Sequence, residues 1–114
     1  MVNLRTKKTQ KKYTEYLEKG YDGACIFCKR QKMVKEFDFW ILTKNEFPYD
    51  EIAEKHTMLA PKRHIEEENE LNQQEREDLS QLLLELDYDM CILNKKKKRS
   101  IPEHYHLHLL KFKD

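Results

Sequence analysis

His104-Tyr105-His106-Leu107-His108-Leu109-Leu110 is the stretch on which this chain turns. An extended strand sends successive side chains to opposite faces. Read as a strand, it puts His104, His106 and His108 on one face and Tyr105, Leu107 and Leu109 on the other. Successive imidazoles then stand roughly 7 Å apart along the chain. Each ring carries two polar nitrogens that need partners when buried. Imidazoles also titrate near neutral pH, which suits nucleophilic or acid–base work on phosphate esters. Two other readings compete. His-x-His on a strand is a common bidentate metal pair. The histidines could also be chance residues of a surface strand or an expression tag, but their strict alternation with apolar residues, followed by Leu109-Leu110, speaks against a tag.

Outward from that strand, the chain reads as one small α+β unit. Residues 95–99 are a basic loop of four lysines and Arg99. Residues 90–93 are apolar and fit either a helix end or a strand. Leu79, Leu82, Leu83 and Leu86 recur at helical spacing, so residues 73–89 are expected as a long amphipathic helix. Asn72 with Glu75 fits a capping box at its start. Residues 56–60 read as a strand closed by Pro61, residues 45–50 as a turn around Pro48, and residues 35–44 as an aromatic, β-branched strand. Cys25-Ile26-Phe27-Cys28 forms a short hydrophobic knuckle. Residues 9–19 favour helix, with Tyr13, Tyr16 and Leu17 on one face and Gly20 as a stop. Residues 1–12 are basic, with Arg5, Lys7, Lys8, Lys11 and Lys12.

At 114 residues there is room for one compact domain. Lys and Arg number 22 against 21 Asp and Glu, a net charge of +1, which excludes a bulk polycation of the histone-tail kind. Two glycines are too few for a Gly-rich phosphate loop. No run approaches the roughly 20 apolar residues of a membrane helix. Met1-Val2-Asn3-Leu4-Arg5 does not look like a secretory signal, so a cytoplasmic location is expected. Three cysteines do not suggest a disulfide framework. Cys25 and Cys28 have the C-x₂-C spacing of metal ligands, which also fits redox chemistry or a chance pair. Cys91, in an apolar stretch, is expected to be a buried thiol.

The pattern His-φ-His-φ-His-φ-φ, with φ apolar, is matched at every position of residues 104–110, and it resembles the signature of the histidine-triad (HIT) family of nucleotide hydrolases and transferases. His56-Thr57-Met58-Leu59-Ala60-Pro61-Lys62-Arg63-His64-Ile65 is similar to the family's strand running from a histidine into Pro-Lys-x-His. Cys25-Ile26-Phe27-Cys28-Lys29 looks like the start of zinc-containing bacterial members. The resemblance spans residues 24–112 and takes in all five histidines. It implies a HIT-like antiparallel sheet with one long helix packed on it, in residues 21–114, behind a basic helical extension, residues 1–20. A homodimer is implied as well.

The resemblance also implies the chemistry. The catalytic set is His106, His108, His104 and His56. His106, the middle histidine, is the nucleophile toward the α-phosphate of a nucleoside phosphoramidate or dinucleoside polyphosphate, giving a covalent nucleotidyl-histidine. His108 contacts the phosphate or leaving group, the main-chain carbonyl of His104 fixes the ring of His106, and His56 completes the cluster. The family's approach to the triad is Gly-rich; here it has no glycine. Asn94 and Ser100 stand in for phosphate-contacting residues, and the basic run that includes Lys98 and Arg99 reads either as binding phosphate by charge or as a solvated loop. A structural zinc is implied on Cys25, Cys28, His56 and His104, with His64 as a rival ligand. Two alternatives stay open: a non-catalytic zinc-stabilised nucleotide- or nucleic-acid-binding module, and a nucleic-acid adaptor using the basic residues 1–12 and 95–99.

Overall fold

The computed structural model describes residues 4–20, 24–95 and 103–114. Five strands, β1 (Met33–Glu36), β2 (Trp40–Lys44), β3 (Ala53–Pro61), β4 (Met90–Ile92) and β5 (Leu107–Phe112), form one sheet in the order β1-β2-β3-β5-β4. Every neighbouring pair is antiparallel. Two helices, α1 (Lys7–Glu15) and α2 (Gln73–Glu85), complete an α+β fold, as the sequence implied.

Strand alternation divides the core in two. On the α2 side, Trp40, Leu59, Tyr105, Leu107 and Leu109 pack with Ile65, Leu71 and Leu82, and the helix adds Leu79, Leu83 and Leu86. On the opposite side, Ile41, Met58 and Ala60 pack against Phe27 of the knuckle. The same side continues through Tyr49, Ala53 and Leu110, against which Leu4 packs. Burial of a Leu or Phe side chain contributes roughly 1.5–3 kcal/mol, so both layers hold the sheet.

Asn72 caps α2 as expected: its side chain accepts from the Glu75 N–H at 2.8 Å, and Glu75 accepts from the Asn72 N–H at 2.8 Å. The same Glu75 carboxylate takes a forked pair of bonds from Arg63, at 2.7 and 2.9 Å. Its carbonyl accepts from the buried Trp40 indole at 2.9 Å. One glutamate therefore ties the helix start to β2 and to the segment leaving β3.

Several boundaries differ from expectation. The strand read over 104–110 begins at Leu107, with His104 and His106 ahead of it, and the strand read over 56–60 runs Ala53–Pro61. The strand expected over 35–44 is a hairpin, because Phe37 and Phe39 both turn into the α2-side core and the Phe37 N–H closes on the Trp40 carbonyl at 2.8 Å. The helix expected over 73–89 ends at Glu85: Leu86 is extended, and the Tyr88 hydroxyl donates to the Leu83 carbonyl at 2.9 Å. Residues 90–92 are strand, and Cys91, expected buried, is exposed on it. The N-terminal helix starts earlier than expected, at Lys7 behind the capping residue Thr6, and runs into a π-helical turn, Tyr16–Gly20.

The Arg63 hydrogen bond holds the Glu75 carboxyl below its ordinary value of 4.5, against the opposing effect of burial. A depressed folded-state pKa contributes stability that is full above the ordinary value and is lost as pH falls through the folded one. Glu75→Ala should cost about 2 kcal/mol at pH 7 by urea unfolding. It should also lose less further stability than the wild type on acidification below pH 4.5.

Candidate functional site

The β3–β5 ladder pairs Met58 with His108 and His56 with Leu110, so His56 and His108 are diagonal neighbours on the face away from α2. His106 precedes β5 and faces the same way: its ring lies 4.9 Å from the His108 ring and 5.2 Å from Phe27. His56, His104, His106 and His108 are all buried.

Backbone groups assign the protons on these rings. The Nδ1–H of His106 donates to the His104 carbonyl at 2.9 Å, which leaves the lone pair on Nε2. His56 Nδ1 accepts from the Tyr49 N–H at 3.0 Å, so the His56 proton sits on Nε2. That nitrogen is 2.8 Å from His108 Nδ1, which therefore accepts and carries its own proton on Nε2. The Asn45 amide lies 3.3 Å from His56 Nε2, while its side-chain oxygen takes the Phe47 N–H at 2.8 Å. Burial, then the charges of Arg5 and His106, pushes His56 down to about 3. Burial, then His106, His56 and Arg5, pushes His108 down to about 2. Both rings are neutral at pH 7. The buried Nε2 of His108 has no hydrogen-bond partner among the described residues. A buried donor left unpaired costs about 1–3 kcal/mol, which an acceptor on a ligand would recover.

A second cluster lies at the other end of β3. Cys25 Sγ is 3.3 Å from His104 Nδ1, Cys28 Sγ is 3.2 Å from His64 Nδ1 and 3.8 Å from His104 Nδ1, and the two Nδ1 atoms are 3.1 Å apart. All four ligand atoms lie within 4.8 Å of one another. Tetrahedral zinc with bonds of about 2.0–2.3 Å has edges of roughly 3.5 Å, so the residues fit the ion. The His104 Nε2–H donates to the Pro61 carbonyl at 2.7 Å, which turns the Nδ1 lone pair toward the cysteines. Burial, then the neighbouring Cys25 thiol, pushes the Cys28 thiol up, and a bound cation would reverse that.

This corrects the expected ligand set: His64, not His56, joins Cys25, Cys28 and His104. His104 reaches β3 at Pro61, five residues and roughly 16 Å along the strand from His56. Both nitrogens of His56 already meet Tyr49 and His108. His64 comes after the chain leaves β3 and turns toward the knuckle. There, hydrogen bonds from Lys29 N–H to the Cys25 carbonyl and from Arg30 N–H to the Phe27 carbonyl curl Cys25 and Cys28 toward one side.

Asn94 is half-buried two residues beyond Ile92, whose strand partner is His108; continuing that register brings Asn94 level with His106. Ser100, Lys98 and Arg99 lie outside the described residues. Tyr49, which holds His56, and Asn45, which lies beside it, were not foreseen; they belong to a turn with no distinguishing pattern, and only the strand register brings them to the histidine.

A scan of family models finds no match to this sequence, and a search of curated proteins finds none. Solved structures do match. A HIT family hydrolase from Legionella pneumophila Philadelphia 1 aligns with a TM-score of 0.60 at 24% identity, over 80% of this chain and 95% of that one. A histidine triad protein from Clostridium difficile aligns with a TM-score of 0.59 at 22% identity, over 82% and 95%. A histidine triad nucleotide-binding protein from Candida albicans aligns with a TM-score of 0.54 at 20% identity, over 80% and 76%. The chain thus has the fold of the histidine-triad proteins.

Proposed function

We propose that this chain is a member of the HIT family and a nucleotide phosphohydrolase or nucleotidyl transferase. The observation that carries the reading is His106: its Nδ1 proton is taken by the His104 carbonyl, which makes Nε2 the nucleophilic nitrogen, and its ring lies 4.9 Å from that of His108. Nε2 forms a bond to the α-phosphorus of a nucleoside phosphoramidate or dinucleoside polyphosphate. The bond to the leaving group breaks, its electron pair leaves with that group, and water supplies the group's proton. A water molecule then attacks phosphorus and gives up a proton to solvent, the P–N bond breaks with its electron pair returning to His106 Nε2, and the nucleoside monophosphate is released; an acceptor other than water makes the step a transfer. His108, neutral with its proton on Nε2, donates a hydrogen bond to phosphate oxygen. His56 holds His108 in that tautomer. Asn94, Ser100, Lys98 and Arg99 contact the phosphates.

The metal proposed is zinc on Cys25, Cys28, His64 and His104. Four protein ligands close a tetrahedron, so the ion would be structural. Residues 1–20 are an extension to a HIT-like domain of residues 21–114. Homodimerisation is proposed from the 82% exposure of Leu84 on α2 and from the edge position of β4. Among the described residues no helix is long and apolar enough to cross a membrane, and the free thiols of Cys25, Cys28 and Cys91 suit a reducing cytoplasm.

Adenosine phosphoramidate and diadenosine polyphosphates should be cleaved to nucleoside monophosphate, and His106→Ala should lower kcat by about 10³-fold or more. Turnover that survives the substitution rejects His106 as nucleophile. Nucleotide binding without turnover by either form favours the binding module. Protein purified from zinc-replete medium should contain one zinc per chain by elemental analysis. His64→Ala and Cys28→Ser should lose that zinc and His56→Ala should keep it; a metal-free wild type sinks the assignment.

A further inference from the structure

The N-terminal segment is fastened onto the histidine face. The Glu51 N–H donates to the Leu4 carbonyl at 3.0 Å, and Leu4 packs with Tyr49 and Leu110. Asp50 accepts from the Thr6 N–H at 2.8 Å and from the Thr9 hydroxyl at 2.5 Å. Arg5 Nε donates to the Phe47 carbonyl at 2.7 Å. These bonds attach the segment to the same turn, residues 45–50, that supplies Asn45 and Tyr49 to His56.

A recess of about 60 Å³ opens under this segment. It is lined by Arg5, Tyr13 and Tyr16 of the segment together with Ile26, Phe47 and Met58. Both tyrosine rings already meet Phe47, at 5.3 and 5.1 Å. Asn45 lines the recess and also touches His56, so the recess adjoins the histidine pair. Between the two lies Arg5. Its guanidinium is 4.3 Å from the Tyr13 ring and 5.0 Å from the Tyr49 ring, and Tyr49 stacks on His108 at 5.2 Å. Its charge reaches both His56 and His108.

We propose that the N-terminal segment completes the ligand site, with Tyr13 and Tyr16 as the wall against which a planar ring lies and Arg5 as a ligand-contacting residue that meets a phosphate oxygen of the same molecule. A ligand that joins a flat ring to a phosphate at the histidines must pass the guanidinium, whose planar fork matches phosphate oxygens. The inference deepens the nucleotide reading and rests on it.

AMP, GMP, CMP and UMP, each beside its parent nucleoside, are titrated calorimetrically into wild type, Arg5→Met, Arg5→Lys and Tyr16→Ala. For the best-bound pair, Arg5→Met should weaken the nucleotide tenfold or more and the nucleoside far less, with Arg5→Lys between. Tyr16→Ala should weaken both. Equal nucleotide binding by wild type and Arg5→Met overturns the phosphate contact. Parallel loss of nucleotide and nucleoside in Arg5→Met also overturns it, because Arg5 would then act only as a strap. Unchanged nucleoside binding by Tyr16→Ala overturns the ring wall. A wild type that binds none of the eight overturns the nucleotide reading itself and this inference with it.

Discussion

A neutral imidazole has two nitrogens and one proton, and burial forces that proton to a definite side. In this protein the backbone decides the side. The Pro61 carbonyl takes the proton of His104, the His104 carbonyl takes that of His106, and the Tyr49 N–H, by occupying Nδ1 of His56, sends that ring's proton to His108. Side chains rotate and titrate, but a main-chain group in an ordered segment does neither. The chemical character of each histidine, whether lone pair or donor, is therefore set by the fold.

That arrangement needs a rigid sheet behind it. β3 and β5 are the two innermost neighbours of the histidine face, and their opposite face is packed by Leu59, Leu107 and Leu109 under α2. The helix is held in turn by Glu75, which caps it, pairs with Arg63 and receives the Trp40 indole. Arg63 adjoins His64 in sequence. The lock that seats α2 thus fixes the segment that delivers a candidate metal ligand. Core packing on one face and chemistry on the other are joined through five residues, 61–65, that leave β3 and cross the sheet's end.

Much of this was legible in the sequence where one local rule sufficed. Alternation at residues 104–110 foretold which side chains share a face, and Asn72 with Glu75 foretold the start of α2. What was not legible depends on distance through space. His56 and His64 are both histidines of one motif, and spacing does not say which reaches the cysteines; the strand's rise does, because it carries His56 roughly 16 Å from the Pro61 end. The hairpin at residues 37–39 was hidden because Phe37, Phe39 and Trp40 read as one aromatic strand and all pack into one core. Tyr49 and Asn45 sit in an ordinary turn, and the basic residues around Arg5 read as a helical extension outside the histidine domain.

His104 is where the two clusters meet. Its ring points Nδ1 at Cys25, Cys28 and His64, and its carbonyl takes the proton of His106. Phe27, between the two cysteines in sequence, lies 5.1 Å from the His104 ring and 5.2 Å from the His106 ring. An ion held by the four ligands would draw the knuckle, His64 and His104 together, and with them the carbonyl on which the tautomer of His106 depends. Without the ion, the Nδ1–H tautomer of His64 would donate to the His104 Nδ1 lone pair across 3.1 Å, a contact that a bound ion would replace with two metal bonds. A metal with no open coordination site would thus bear on the proposed nucleophile: it would steady one residue whose ring it holds and whose carbonyl orients the neighbouring ring.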